Sequence, residues 1–372
     1  MAVNQGLSHL SDHFLMVTLV LYFLAVLAFA ADFAFGKRTS AEPAEAAVPE
    51  LVTAGAAGAG AAGAAAGTAQ ASTANLGGAN LGGADLASAD LASATVDSAQ
   101  ASGGTGRPAA ASRPSLRDAS FWVRAGLGLT VLGVIAHIAG VVSRGLAVHR
   151  VPWGDMYEFV IAVTCVAVLF FLGLMIRYRP FRLGLFFMAP IVIIIGLAQT
   201  VIYTPAGPLV PALNSYWLAI HVTAITLATG TYVVAAVLAV VYLFADRHSR
   251  RAAAGLPVRN GEVFRLLPTP ERLDQFAYRT VVFAFPLWTF GIMAGAIWAD
   301  EAWGRYWGWD PTETWAFITW VVYACFLHAR VTAGWRGRRA AYIQLVGFGC
   351  LLFNLLGVSL FITGLHSYAG LS

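Results

Sequence analysis

Trp303-Gly-Arg-Tyr-Trp307-Gly-Trp309-Asp310-Pro-Thr-Glu313-Thr-Trp315 sets four tryptophans within thirteen residues, between two hydrophobic runs long enough to cross a membrane. Three uses of such a cluster compete: an interfacial aromatic belt, a stacking platform for nucleic acid, or a platform for a flat organic ligand. A belt would spread Trp and Tyr over every helix end, whereas eight of the eleven tryptophans lie between Trp288 and Trp335. Base stacking calls for cations interleaved with the rings, and Arg305 is the only one in the stretch. No nucleic-acid partner is therefore expected. A flat, apolar ligand with an anionic edge remains, and haem leads that class.

Outward from this stretch, the chain reads as membrane protein. Of its 372 residues 58% are hydrophobic and 11% charged, against roughly a quarter charged in soluble domains. Runs of about 20 apolar residues mark spanning helices. Eight are predicted, near 14–35, 121–143, 157–176, 183–203, 216–245, 279–299, 312–333 and 341–364. The fold class is thus an all-α polytopic membrane protein with the tryptophan-rich loop between helices six and seven. With the N-terminus outside, the inner loops and adjoining helix ends hold 20 of the 23 Lys and Arg, leaving only Arg144, Arg150 and Arg305 on the outer side. By the positive-inside rule, both termini and the tryptophan loop are expected outside, on the plasma (cytoplasmic) membrane. The net charge of +4 reflects this sorting. Cys165, Cys325 and Cys350 all fall in predicted helices and form no C-x-x-C or C-x-x-C-H, so thiol redox chemistry and covalent haem attachment by that motif are not expected.

Three regions follow. Residues 1–38 are an N-terminal anchor: Lys37-Arg38 follow the apolar run and none precede it, the reverse of a signal peptide. His9 and His13 are expected to precede the helix, in water or headgroups. Residues 39–118 are rich in Ala, Gly and Ser, and Ala74 to Ser93 is a five-residue repeat of the form A-[DN]-L-x-x. Four copies are too few for a stacked core, so a flexible cytoplasmic linker is expected. Residues 119–372 are the seven-helix ligand-handling domain. There, Asp155 or Gly154 caps the third helix with Glu158 in its first turn, and Asp310-Pro311-Thr-Glu313 reads as N-cap, Pro at N1 and Glu at N3.

Alternation of the helices brings His221, at the start of the fifth, and His366, at the end of the eighth, to the tryptophan face. Two imidazoles flanking an aromatic platform suit the axial positions of haem iron. Trp303, Trp307, Trp309 and Trp315 supply contact area, some as interfacial anchors; Asp310 shapes the loop, and Arg305 is the candidate partner of the propionates. His328 lies about five residues from the inner end of helix seven, and an ionisable residue at membrane depth is a functional candidate. His137, in helix two, lies roughly 10 Å from it in depth at about 1.5 Å per residue, too far to share an iron. A buried, hydrogen-bonded role is expected for His137.

The pattern W-G-x-x-W-x-W-D-P-x-E-T-W resembles the tryptophan-rich "WWD" signature of haem-handling proteins in cytochrome c biogenesis, closest to the CcsA/ResC form. The likeness covers roughly the last 220 residues and includes the Pro-x-x-x-x-Tyr157-Glu158 segment. It implies that haem b, bound non-covalently in transit, is moved across the membrane and presented outside. There its vinyl groups would be joined to the C-x-x-C-H thiols of apocytochrome c. By this resemblance His221 and His366 are the external axial pair, and His328 binds haem within the membrane, its second ligand coming from a ResB/CcsB-type partner. The enzymatic reading is holocytochrome c synthase activity in that complex. Two rivals are a CcmC-like haem carrier serving a chaperone and a small-molecule transporter gated by the aromatic loop. Transporters show inverted repeats and broken helices at mid-membrane, and neither is visible in the sequence.

Overall fold

In the computed structural model, the structure describes residues 3–35, 116, 119–207, 215–258, 263–264 and 266–366. The expected linker and its repeat lie outside the described residues. Among these residues are eight helices long and apolar enough to span a membrane and no strand. They are α1 (Gln5–Phe35), α2 (Phe121–Ala147), α3 (Met156–Tyr178), α4 (Gly184–Val201), α5 (Tyr216–Ala253), α6 (Pro270–Trp303), α7 (Pro311–Val331) and α8 (Arg338–Leu352). The last continues as a π-helical turn, Phe353–Val358, and a final short turn to Phe361. The protein is a multi-pass, all-helical membrane protein.

Helix pairing follows from where the small residues fall. On α2, Gly126, Gly133 and Gly140 recur every seven residues and meet Phe29, Tyr22 and Leu15, which recur every seven on α1. A Cβ on these glycines would stand 2.9, 2.5 and 2.9 Å from those side chains. In lipid, where apolar surface alone drives no association, such close backbone approach supplies the packing. The antiparallel α1–α2 pair is tied at one end by Asn4 N–H to Ala147 O (2.9 Å) and at the other by Ser120 donating to Asp32. On α6, Gly291 and Gly295 form a G-x-x-x-G step that receives Ile225 and His221 of α5. Among the described residues, four buried apolar clusters result, two of them large. The first of these gathers Tyr22, Phe171, Phe187 and Leu238 and reaches Leu273 and Ala277 of α6; the second gathers Tyr232, Trp288, Tyr323, Phe326 and Leu351 among α5–α8.

Several helix ends differ from expectation; α5, for one, runs to Ala253, eight residues past the expected 245. α1 begins at Gln5 because its first turns pack on α2, with Ser11 Oγ donating to Gly140 O at 2.8 Å. His9 and His13 therefore sit on its exposed side, within the helix and not ahead of it. α6 starts nine residues early, at Pro270, since Thr269-Pro270-Glu271 is an N-cap, a Pro at N1 and an acid in the first turn. α7 ends at Val331, which puts His328 in its last turn. The helical run that α8 begins ends at Phe361, so His366 lies in a turn beyond it and not at its end.

α3 and α7 begin with the same device, at the same end of the bundle. Asp155 and Asp310 are the N-caps. Three residues on, Glu158 accepts from Gly154 N–H at 2.6 Å, and Glu313 accepts from Gly308 N–H at 2.8 Å. An arginine from the preceding loop closes each: Arg150 to Glu158 at 2.7 Å and Arg305 to Glu313 at 3.2 Å. Arg144 adds a second cation to Glu158 at 3.0 Å, both side chains fully buried. All three arginines assigned to this end thus neutralise first-turn glutamates. Arg144 and Arg150 also grip the segment after α4 by the carbonyls of Thr204 and Gly207. Removing one member of such a buried pair costs about 3–5 kcal/mol by leaving the other uncompensated.

Asp155 gives this device a pH dependence. Burial, and then the adjacent Glu158 charge, push its carboxyl up from 3.8 to about 6, against the pull of the Glu158 N–H, Arg144 and Arg150. A raised folded-state pKa means the group's contribution is present below 3.8 and is lost as pH rises through about 6. Asp155→Asn keeps a competent cap and removes the titration. The variant is expected to gain thermal stability over wild type at about pH 7.5, and to lose that advantage near pH 4.5. Detergent-solubilised unfolding at the two pH values checks this; a difference independent of pH would refute it.

Candidate functional site

At the tryptophan end, α5, α6, α7 and the turn after α8 enclose an open-mouthed cavity. It has about 510 Å³ of space, mouth included. His221, Trp298, Trp303, Tyr306, Trp307 and His366 are among its lining residues, with Ile225, Ile292 and Ala316 among its apolar ones. The two predicted imidazoles are therefore brought to one cavity from elements 145 positions apart in the sequence.

Each imidazole is oriented through Nδ1. His221 Nδ1 lies 2.7 Å from the Gly291 carbonyl. That approach is possible only because Gly295 presents no side chain, since a Cβ there would stand 2.6 Å from His221 Cε1. The His221 ring lies at 13° to the Trp298 indole, centroids 6.0 Å apart. His366 Nδ1 lies 2.8 Å from Asp310 Oδ2, and its ring meets the edges or faces of Trp298 (5.9 Å) and Trp303 (5.1 Å) at steep angles. Because a carbonyl or carboxylate only accepts, Nδ1 carries a proton in both rings, which leaves Nε2 as the nitrogen able to present a lone pair. This is how metal-ligating histidines are held by their outer partners.

Glu313 organises the loop above the cavity. It is 9% exposed and accepts from Gly308 N–H, Asp310 N–H (3.1 Å) and Arg305. Asp310 accepts in turn from Thr312 N–H (3.2 Å), Leu365 N–H (2.7 Å) and His366. Burial alone would raise the Asp310 carboxyl; the hydrogen bonds from His366, Leu365 and Thr312 outweigh it and hold the carboxyl below the usual carboxylate value. The residue expected only to shape the loop also anchors the turn that carries His366.

The predicted aromatic platform divides. Trp303 and Trp307 line the cavity, while Trp309 and Trp315 do not. Trp309 is 67% exposed and holds φ of 58°, a left-handed conformation uncommon for a bulky residue. Trp315 packs on Phe353 of the π-helical turn, centroids 4.3 Å apart. Arg305 is partly exposed, its guanidinium over Trp303 at 5.8 Å and its charge set against Glu313. His328 is on the exposed side of the last turn of α7, 16 residues or about 24 Å along the helix from the cavity wall at Thr312. His137 is fully buried with Nδ1 3.4 Å from the Tyr22 hydroxyl, away from the cavity.

Trp298 was not expected at the site. It is 1% exposed and touches both histidine rings. A signal for it exists in the sequence: Gly291-Ile-Met-Ala-Gly295 is a close-contact step, and Trp298 stands one turn beyond it on the same face of α6.

Fold and site together define a multi-pass membrane protein with an aromatic cavity flanked by two pre-oriented imidazoles at one end. A profile of the family described as "Cytochrome C assembly protein" matches residues 153–366. A "Cytochrome c biogenesis protein CcsA" of Guillardia theta is 39% identical over 66% of this chain and 86% of its own length. Proteins of the same description from Mesostigma viride and Synechococcus elongatus are 35% and 40% identical, over 59% and 44% of this chain and 78% and 61% of their own lengths. The chain belongs to the cytochrome c assembly family, in its CcsA-type branch of cytochrome c biogenesis subunits.

Proposed function

We propose that the cavity binds haem as cargo, with His221 and His366 as axial ligands, and presents it for covalent attachment to apocytochrome c. The observation that carries this reading is the pair of imidazoles in one apolar cavity, each with Nδ1 engaged and Nε2 able to present a lone pair. The donor set fits the group: two imidazole nitrogens for iron, the Trp303 and Trp307 rings for the macrocycle faces, and Arg305, set over the cavity-lining Trp303, for a propionate. Haem supplies two vinyl groups, across which the S–H bonds of a C-x-x-C-H segment add with no atom lost. This chain's residues bind, orient and exclude water; the attacking thiols belong to the substrate, so no nucleophile is required of it.

The basic helix ends mark the cytoplasmic side, so the cavity faces the outer side of the plasma membrane. His328, exposed at the opposite end of α7, suits a site shared with a ResB/CcsB-type membrane subunit, which would supply the second ligand there. Haem would enter at that level and leave from the cavity.

Purified with such a partner and supplied with haem, wild type is expected to show a low-spin, bis-imidazole visible spectrum. His221→Ala and His366→Ala should each keep part of the haem and convert it to a five-coordinate spectrum. His328→Ala should lower total haem and leave the spectrum of the remainder unchanged. A well-folded wild type that acquires no haem would sink this reading.

A further inference from the structure

The two capping devices hold the returning segment differently, and this difference falls at the cavity. In the first, cations hold the returning segment, through Arg144 to Thr204 O and Arg150 to Gly207 O. In the second, a carboxylate holds it: Asp310 takes Leu365 N–H on one oxygen and His366 Nδ1 on the other. Gly364 permits the close approach, since a Cβ there would stand 2.7 Å from Asp310 Oδ1. The Asp155 side chain, by contrast, accepts from Glu158 N–H and faces Arg144 at 3.8 Å.

Building on the haem reading above, we infer that Asp310 is a positioning residue that makes the two axial histidines unequal, with His366 the stronger donor to iron. A carboxylate is a stronger acceptor for an imidazole N–H than a neutral carbonyl, and it shifts electron density towards the opposite nitrogen. His366 has that partner at 2.8 Å. His221 has only the Gly291 carbonyl, at 2.7 Å, within a helix. The richer donor favours the ferric state, so Asp310 holds the midpoint potential of the bound iron down.

The test is redox titration of the haem-loaded complex carrying wild type, Asp310→Asn or Asp310→Ala. Asn keeps the N-cap and an acceptor oxygen but not the charge. Asp310→Asn should keep the bis-imidazole spectrum with a more positive midpoint, whereas Asp310→Ala should release His366 and reproduce the His366→Ala spectrum. Circular dichroism is the control that both variants retain their helices. An Asp310→Asn midpoint and spectrum both equal to wild type would overturn the inference while leaving haem binding intact. A wild type without haem would instead refute the underlying reading.

Discussion

Glu313→Ala is expected to strip the cavity of haem while the eight helices stay folded. Glu313 serves three donors at once: Gly308 N–H, Asp310 N–H and the Arg305 guanidinium. Hydrogen bonds to a charged group are worth about 1.5–3 kcal/mol each, but here the losses are local. The Trp303–Asp310 loop would lose its clamp, Asp310 its fixed backbone, and His366 the support of Asp310. A local cost of about 3 kcal/mol is a factor of roughly a hundred in the closed-loop population. Haem per protein should fall at least tenfold under limiting haem, further than with either single axial variant, because wall and ligand go together. Glu313→Gln should recover part of the loss, since glutamine can still accept from the two N–H groups. Haem content by absorbance, with circular dichroism to confirm the fold, decides it; wild-type haem content in Glu313→Ala would rule the clamp out.

Gly295→Ala is expected to abolish the low-spin spectrum although it alters no residue of the tryptophan loop and neither histidine. The new methyl would stand 2.6 Å from both Cε1 and Nδ1 of His221. The ring cannot retreat without leaving the Gly291 carbonyl and its place against Trp298. Glycine to alanine inside a helix favours the folded state by about 0.5–1 kcal/mol. The variant should therefore unfold no earlier than expected for a local clash and still match His221→Ala in spectrum and cytochrome assembly. Gly173→Ala, on α3 with nothing within 4 Å of the new methyl, is the control. A wild-type spectrum in Gly295→Ala would mean that His221 is not held as described.

The eight spans were legible because lipid-facing helices must be apolar throughout, a signal independent of tertiary contacts. The start of α7 was legible too, since Asp310, Pro311 and Glu313 cap by local chemistry alone. Helix ends that depend on packing were not: the first turns of α1 are set by Gly140 of α2, more than a hundred residues away. At the site, the histidine pair could be read from alternation of the spans, but not what each Nδ1 touches. The Asp310–His366 bond joins positions 56 apart, and no local pattern encodes it. Trp309 and Trp315 belong to the same motif as Trp303 and Trp307, yet they point elsewhere because the chain turns left-handed at Trp309 and enters α7 before Trp315. Motif membership gave residue type; direction came from backbone geometry.

The recurrence of the aspartate, glutamate and arginine arrangement at α3 and α7 has a consequence for what the protein senses. Exactly four crossings separate the two helix starts, an even number, so both arrangements open to one aqueous phase whichever way the chain inserts. The Asp155 cap and the Asp310 cap therefore face the same compartment. An odd number of intervening spans would have split them across the bilayer. The support of α3 and the seat of His366 are therefore exposed to a single chemical environment, the one in which the cavity opens.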